Sequence, residues 1–371
     1  MCTSAYVQSP QCQPSRASLL TGKYPTAHQV WWNHIPLAQR HRTLPDYLPG
    51  YSHAWFGKLD LMRRGKFSRC WTFEDWRADG DLGAKQEFDS AMGQPTWTGR
   101  FRSDRALHHE DIVTDLATQH MRTTLSPWFV GVSYYGPHPP YAAPEPFGSM
   151  YDPQSVPLPR AVLAGKVQPN DMGYTLSTRE WRELIAQYYG QVSLIDDCVG
   201  RLLAEAGNAI VLYTSDHGDI LGDHGLFSKG MYAYEGNTRV PLLLRLPDYR
   251  PRRYDGLVQS IDLLPTLLEL AGEQVPPDVQ GRSLLGALRG EPGNEYAVSM
   301  IGHRDRLRMV RWGRYKYWIV GNQERLFDLE ADPGEERNLS GDAALVGELR
   351  FILLRALIAA EDPLPLQTRP G

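Results

Sequence analysis

Unbroken apolar runs and amphipathic stretches take turns along this chain of 371 residues. Residues 128–134 (Trp-Phe-Val-Gly-Val-Ser-Tyr) and 209–214 (Ala-Ile-Val-Leu-Tyr-Thr) lack polar alternation and read as strands buried on both faces. Residues 51–57 and 239–244 read as further strands. Residues 104–125 place Ile112, Leu116, Ala117, His120 and Met121 at helical spacing. Residues 179–206 do the same with Ile185, Tyr188, Tyr189, Val192, Leu194, Ile195 and Leu202 and predict a long helix. Residues 43–48 read as a short helix, and residues 258–272 as a helix closed by Gly272. Residues 63–105, rich in charge, Gly and Trp, show no clear period and read as a loop-heavy insertion. Residues 142–171 are proline-rich and read as an irregular loop. After residue 291 the pattern changes to short strands at 296–301, 307–311, 315–320 and 325–329, then a terminal helix at 343–360. The boundary this suggests is a main domain over 1–290 and a smaller one over 291–371, and the chain is long enough for both.

One stretch carries more chemistry than the rest: Ser9-Pro10-Gln11-Cys12-Gln13-Pro14-Ser15-Arg16-Ala17-Ser18-Leu19-Leu20-Thr21-Gly22. Proline has no N–H to lose in a first helical turn, and glycine suits the position just past a helix end. The stretch therefore predicts a turn running into a short helix. Cys12 sits at the helix mouth, where free N–H groups favour an anion. Arg16, one turn on, can point back at whatever Cys12 carries.

Cys12-x-Pro14-Ser15-Arg16 with Thr21-Gly22 resembles the signature of the type I sulfatases, in the alkaline phosphatase superfamily. The resemblance implies that Cys12 is oxidised to formylglycine (3-oxoalanine) by a formylglycine-generating or sulfatase-maturing enzyme. In that family one hydroxyl of the hydrated aldehyde attacks sulfur and expels the alcohol. The second hydroxyl then loses its proton, and the diol collapses to aldehyde and sulfate. Serine lacks that second hydroxyl. The resemblance also implies a mixed, mostly parallel sheet sandwiched by helices, with a small C-terminal α+β subdomain.

Further blocks match the same family. Ser215-Asp216-His217-Gly218, then Gly222-Asp223-His224-Gly225 and Lys229-Gly230, implies Asp216 and His217 as metal ligands beside Cys12, and Lys229 on the sulfate. Gly57-Lys58-Leu59-Asp60-Leu61 resembles Gly-Lys-x-His-Leu, which implies Lys58 on the substrate. Asp60 stands where the family has histidine, and an ionised carboxylate there repels an anionic ester and has no proton to give. Pro137-His138-Pro139-Pro140 implies His138 on the sulfate, beyond the end of a strand as in open α/β sheets. Asn33 reads either as a substrate contact, as in phosphonate- and phosphodiester-cleaving relatives, or as a turn former. Arg16 is expected to hold the diol. The metal implied is one divalent ion, calcium first, with manganese or zinc as alternatives because of the imidazole.

In the family a strand ending in two aspartates, both metal ligands, precedes the cysteine signature. Here Met1 to Gln8 runs almost straight into it. A shortened version of a longer protein and a lineage that has lost its metal site are both consistent with this. Such a chain is expected to be poorly stable and to load metal weakly. The leading expectation is a sulfuric ester hydrolase. The alternatives are a phosphonate monoester or phosphodiester hydrolase and a catalytically impaired remnant.

Composition narrows this little. The net charge of −4 gives no reason to expect nucleic acid or an anionic membrane as partner. No run approaches the roughly 18 apolar residues of a membrane span. The four cysteines, Cys2, Cys12, Cys70 and Cys198, show no metal-site or disulfide pattern, which favours a reducing, cytoplasmic setting. A homo-oligomer remains open.

Overall fold

The computed structural model describes all residues except 62–66, 68, 80–81, 171, 248, 303–305 and 362–371. The chain opens on β1 (Cys2–Tyr6) and α1 (Cys12–Thr21). Next come β2 (Ser52–Gly57), β3 (Arg69–Trp71), α2 (Phe73–Asp79), α3 (Leu82–Met92), α4 (His109–Thr123) and β4 (Trp128–Ser133). The long α5 (Thr178–Glu205) leads to β5 (Val211–Thr214), β6 (Arg239–Arg245), β7 (Tyr254–Gln259) and α6 (Leu263–Leu270). The chain closes on β8 (Tyr296–Ile301), β9 (Leu307–Trp312), β10 (Tyr315–Val320), β11 (Gln323–Asp328) and α7 (Ala343–Ala359).

Two sheets make the main layer. One has the order β3-β2-β4, all parallel. The other has the order β5-β6-β1-β7, with β1 antiparallel to β6 and parallel to β7. Among the described residues β4 and β5 are outer strands of their sheets. Glycine at 131 is dictated by packing: a Cβ there would lie 2.2 Å from the ring of Trp55, its neighbour across the β2–β4 ladder. Helices cover the layer through apolar contacts. Val113 and Ala117 of α4 pack on Ala54 and Phe56 of β2. Leu263 of α6 packs with Ala5, Val240 and Val258 of β1, β6 and β7. Ala17 and Leu20 of α1 join Leu264 and Leu268 of α6.

The last sheet has the order β11-β10-β9-β8, antiparallel throughout. One face takes Val346, Leu349, Ile352 and Leu353 of α7 on Val310, Tyr317 and Leu326. The other packs Met309, Trp318 and Phe327 on Tyr6 and Ala233. Between them Lys316, with no exposed surface, pairs with Glu235 at 3.0 Å and Glu335 at 2.5 Å. A buried charge is tolerable only when paired in this way.

The fold class matches the expectation, three local readings change, and one strand is added. Residues 63–105 are not mainly loop: over the described part, β3, α2 and α3 gather around Phe73, Trp76 and Phe101, with Phe88 against them. Their charge-rich setting hid an aromatic core. Residues 2–6 form a strand, because β6 and β7 flank it on both sides. Residues 258–259 belong to β7, and the helix proper is Leu263–Leu270. Finally, β5 is not buried on all sides, since Tyr213 is 40% exposed at an outer position.

Candidate active site

The amide end of α1 carries the first functional residue. Cys12 opens the helix and is 3% exposed. No side chain of Gln11 caps the helix. Instead the N–H of Gln13 donates to Oδ1 of Asn33 at 3.1 Å, and Nδ2 of Asn33 donates to Oε1 of Gln11 at 3.4 Å. Asn33 thus clamps the turn around Cys12. The far end stops at Gly22, in left-handed conformation with φ 66°.

Arg16 joins three chain segments. Its Nε donates to Oδ2 of Asp216 at 2.8 Å. Its Nη1 donates to the carbonyl of Lys58, just beyond β2, at 2.6 Å and to Oγ of Ser133, at the end of β4, at 2.8 Å. The hydroxyl of Ser15 donates to the carbonyl of Asp216 at 2.5 Å. The carboxyl ends of β2, β4 and β5 therefore meet at one guanidinium, the place where open α/β sheets bind ligands.

His217 follows β5 and points Nε2 at Sγ of Cys12, 3.2 Å away. Its Nδ1–H donates to the carbonyl of Gly218 at 2.9 Å, which leaves Nε2 facing the sulfur. His138 follows β4; its Nδ1 lies 2.7 Å from the carbonyl of Pro139, and its ring hydrogen-bonds Cys12. Lys58 lies over the ring of Tyr135 at 5.3 Å, and the same ring is 4.8 Å from that of His138. Lys229 acts electrostatically on His138, Asp216 and His217, so it faces the same centre.

Charge follows from this arrangement. Burial opposes ionisation of Cys12, but Lys58 and His217, with hydrogen bonds from His138 and His217, hold the thiol well below its usual range. Burial likewise opposes the Asp216 carboxylate, but Arg16 and His217 hold it well below the ordinary range. Burial and the nearby Lys229 push His138 down to about 4. His217 goes up despite burial, because Asp216 and Cys12 favour its charged form. Burial raises the Asp60 carboxyl, although Lys58, 3.8 Å away, pulls it back. Arg16, Lys58, Lys229 and His217 thus gather around two buried anionic positions, Cys12 and Asp216.

The loop that carries Lys229 is tightly wound. Gly218 approaches Gly236 so closely that a Cβ would lie 2.0 Å from its carbonyl oxygen. Leu221, His224 and Ser228 all take positive φ. Asp219 steadies the loop: it accepts from the N–H of Leu221 at 3.0 Å and from the hydroxyl of Tyr141 at 2.8 Å.

Of the residues singled out in the sequence, Cys12, Arg16, Lys58, His138, Asp216, His217 and Lys229 converge. Asn33 adjoins them through the backbone of Gln13. Arg16 hydrogen-bonds Asp216, Lys58 and Ser133. Sequence reasoning missed Ser133 and Tyr135, which are the final residue of β4 and its near follower. Their position beside Pro137-His138 was the available signal.

A buried cysteine at a helix mouth, with cations at the surrounding strand ends, is an arrangement suited to esters of tetrahedral oxyanions. Residues 1–273 match the sulfatase family, and residues 222–357 match the family described as N-sulphoglucosamine sulphohydrolase, C-terminal. The chain belongs to the type I sulfatases of the alkaline phosphatase superfamily, enzymes that hydrolyse sulfuric esters. It is 30% identical over 387 residues to choline-sulfatase of Rhizobium meliloti, covering 90% of this chain and 74% of that one. It is 29% identical to the multifunctional alkaline phosphatase superfamily protein PehA of Trinickia caryophylli, covering 93% and 84%. Its fold is similar to that of the phosphonate monoester hydrolase of Silicibacter pomeroyi, with TM-score 0.79, 23% identity and coverage of 97% and 88%.

Sulfatases generally use a metal ion and formylglycine. Ligand atoms of Cys12, Asp216 and His217 lie within 4.8 Å of one another. Both Asp216 oxygens already accept bonds, from Arg16 and from the N–H of His217. Calcium takes six to eight oxygens, and this cluster holds one carboxylate, one imidazole and position 12. These three donors are the residues among those described that could hold a metal ion. Among the described residues no helix is long and apolar enough to cross a membrane.

Proposed function

We propose that this sulfatase works through formylglycine at position 12. The observation that supports it best is the convergence of His138, His217 and Lys58 on the Cys12 sulfur, which stands where the hydrate oxygens would be. The hydrate supplies one hydroxyl to attack sulfur and a second whose deprotonation releases sulfate. An ion held by Asp216, His217 and position 12 would act as Lewis acid. The chain's own side chains do the rest. Lys58, Lys229 and His138 hold the sulfate oxygens and offset charge as it builds there. His217, with Nε2 toward position 12, is placed to hold the ion beside it. Arg16 fixes Asp216 and the ends of β2 and β4, which keeps these groups in register.

The test is mass spectrometry of the Cys12 peptide after co-production with a formylglycine-generating enzyme, alongside turnover of 4-nitrophenyl sulfate. Conversion with turnover, both lost in Cys12→Ala, is the expected result. Untouched cysteine with full turnover, or full turnover in Cys12→Ala, refutes it.

A second reading, hydrolysis of phosphonate monoesters or phosphodiesters, is favoured by Asn33 beside position 12. Matched sulfate and phosphonate esters of one alcohol separate the two by relative kcat/KM. A catalytically impaired remnant is the reading if converted protein turns over neither.

A further inference from the structure

The terminal helix α7 is apolar on two faces. One is spent on the C-terminal sheet, where Val346, Leu349, Ile352 and Leu353 are buried. The other faces solvent: Phe351, Leu354 and Ile358 are 61%, 55% and 59% exposed. With Ala344 and Gly347, these positions are spaced 3, 4, 3 and 4 residues apart. That is the seam of a coiled coil, whereas a helix with one solvated face carries polar residues there. Such spacing selects another helix as occupant.

The seam is complementary to itself in one orientation only. Antiparallel pairing centred between Phe351 and Leu354 puts Ile358 over Gly347 of a second copy, where nothing lies within 4 Å of a Cβ built on that glycine. Phe351 then meets Leu354 in both directions. Glu348 and Arg355 flank the seam on one side, and the same pairing brings each to the other's counterpart twice by symmetry. Arg355 is free for this, because its contact within the chain, Glu295, is exposed and 3.8 Å away. On the other flank Arg350 is already neutralised by Glu324 at 2.6 Å. A parallel pair would stack Gly347 on Gly347 and leave a hole.

We propose that α7 is a self-association surface through which two copies of this chain pair antiparallel. The three large side chains offer about 300 Å² of apolar area per copy, judged from the area of a buried aromatic. A standard interface takes about 800 Å² per partner. An area below that standard makes the pair weak and concentration-dependent.

Sedimentation equilibrium of the full chain across about two decades of concentration, up to about 200 μM, tests this. A monomer–dimer curve is expected, shifted toward monomer about 10-fold or more by Leu354→Glu. Leu354 is exposed, so the variant keeps its fold, as circular dichroism will confirm. Glu348→Arg alone weakens the dimer by putting arginine against arginine, and the swap E348R/R355E restores it. A wild-type monomer throughout overturns the proposal, since it means that something else, such as the chain's own last residues, covers the face. So does a dimer indifferent to Leu354→Glu, or a charge swap without rescue.

Discussion

Replacing Arg16 with alanine tests the reasoning about the site most directly. The substitution removes three hydrogen bonds of 2.6–2.8 Å and leaves Asp216, 17% exposed at its side chain, without its closest cation. Stripping one partner from a buried ion pair costs about 3–5 kcal/mol. Lys58, Lys229 and His217 still favour the Asp216 carboxylate, so the lower end, about 3 kcal/mol, is expected. For a chain of 371 residues that is a Tm drop of about 4 °C. The pH dependence has a defined sign. The Asp216 carboxyl is held below its ordinary range in the folded protein. Its contribution is therefore present above the unfolded value of about 3.9 and lost as pH falls below it. Losing Arg16 shrinks that contribution, so the deficit is full at pH 7 and narrows below about pH 4. Urea unfolding at both pH values, with D216N and R16A/D216N completing a double-mutant cycle, measures the coupling. A cost under about 1 kcal/mol at pH 7, or the same cost with and without Asp216, refutes the assignment.

Three further outcomes are expected. Asp60→Asn removes a carboxylate 3.8 Å from the Lys58 ammonium; KM for an anionic ester should fall about 3- to 10-fold, from a charge interaction of about 1 kcal/mol, and an unchanged KM counts against Asp60 facing the substrate. Gly218→Ala puts a Cβ 2.0 Å from a backbone oxygen, so the strand end carrying Asp216 and His217 must shift, and a thermal melt within 1 °C of wild type (about 0.8 kcal/mol) contradicts that packing. Burial raises the Asp262 carboxyl to about 6. Its contribution is complete below the unfolded value of about 3.9 and lost as pH rises through 6, so the stability gap between wild type and D262N should change by about 2 kcal/mol between pH 4 and 7, and a constant gap disproves the shift.

The parts legible in the sequence were those governed by local rules. Pro14 and Gly22 bound α1 because their backbone preferences are fixed whatever surrounds them. The Cys12, Lys58, His138 and Asp216–His217 positions could be read because each sits in a distinctive short string. What stayed hidden depended on distant partners. The strand Cys2–Tyr6 exists because β6 and β7, more than 230 residues on, hydrogen-bond it from both sides. The cluster of Phe73, Trp76 and Phe101 is scattered among charges, so no periodic signal marks it. Ser133 looks like the polar end of an apolar run, and only the folded chain shows it receiving an Arg16 N–H.

The break in the main layer between β4 and β5 has a practical consequence for anyone handling the protein. Arg16 grips the tips of both strands, yet behind that grip each strand keeps one row of amides and carbonyls with no ladder partner among the described residues. Unpaired rows of this kind recruit extended peptide from other molecules. Turbidity on warming should therefore rise before far-UV signal is lost, and a short synthetic β-strand peptide added in excess should delay the clouding.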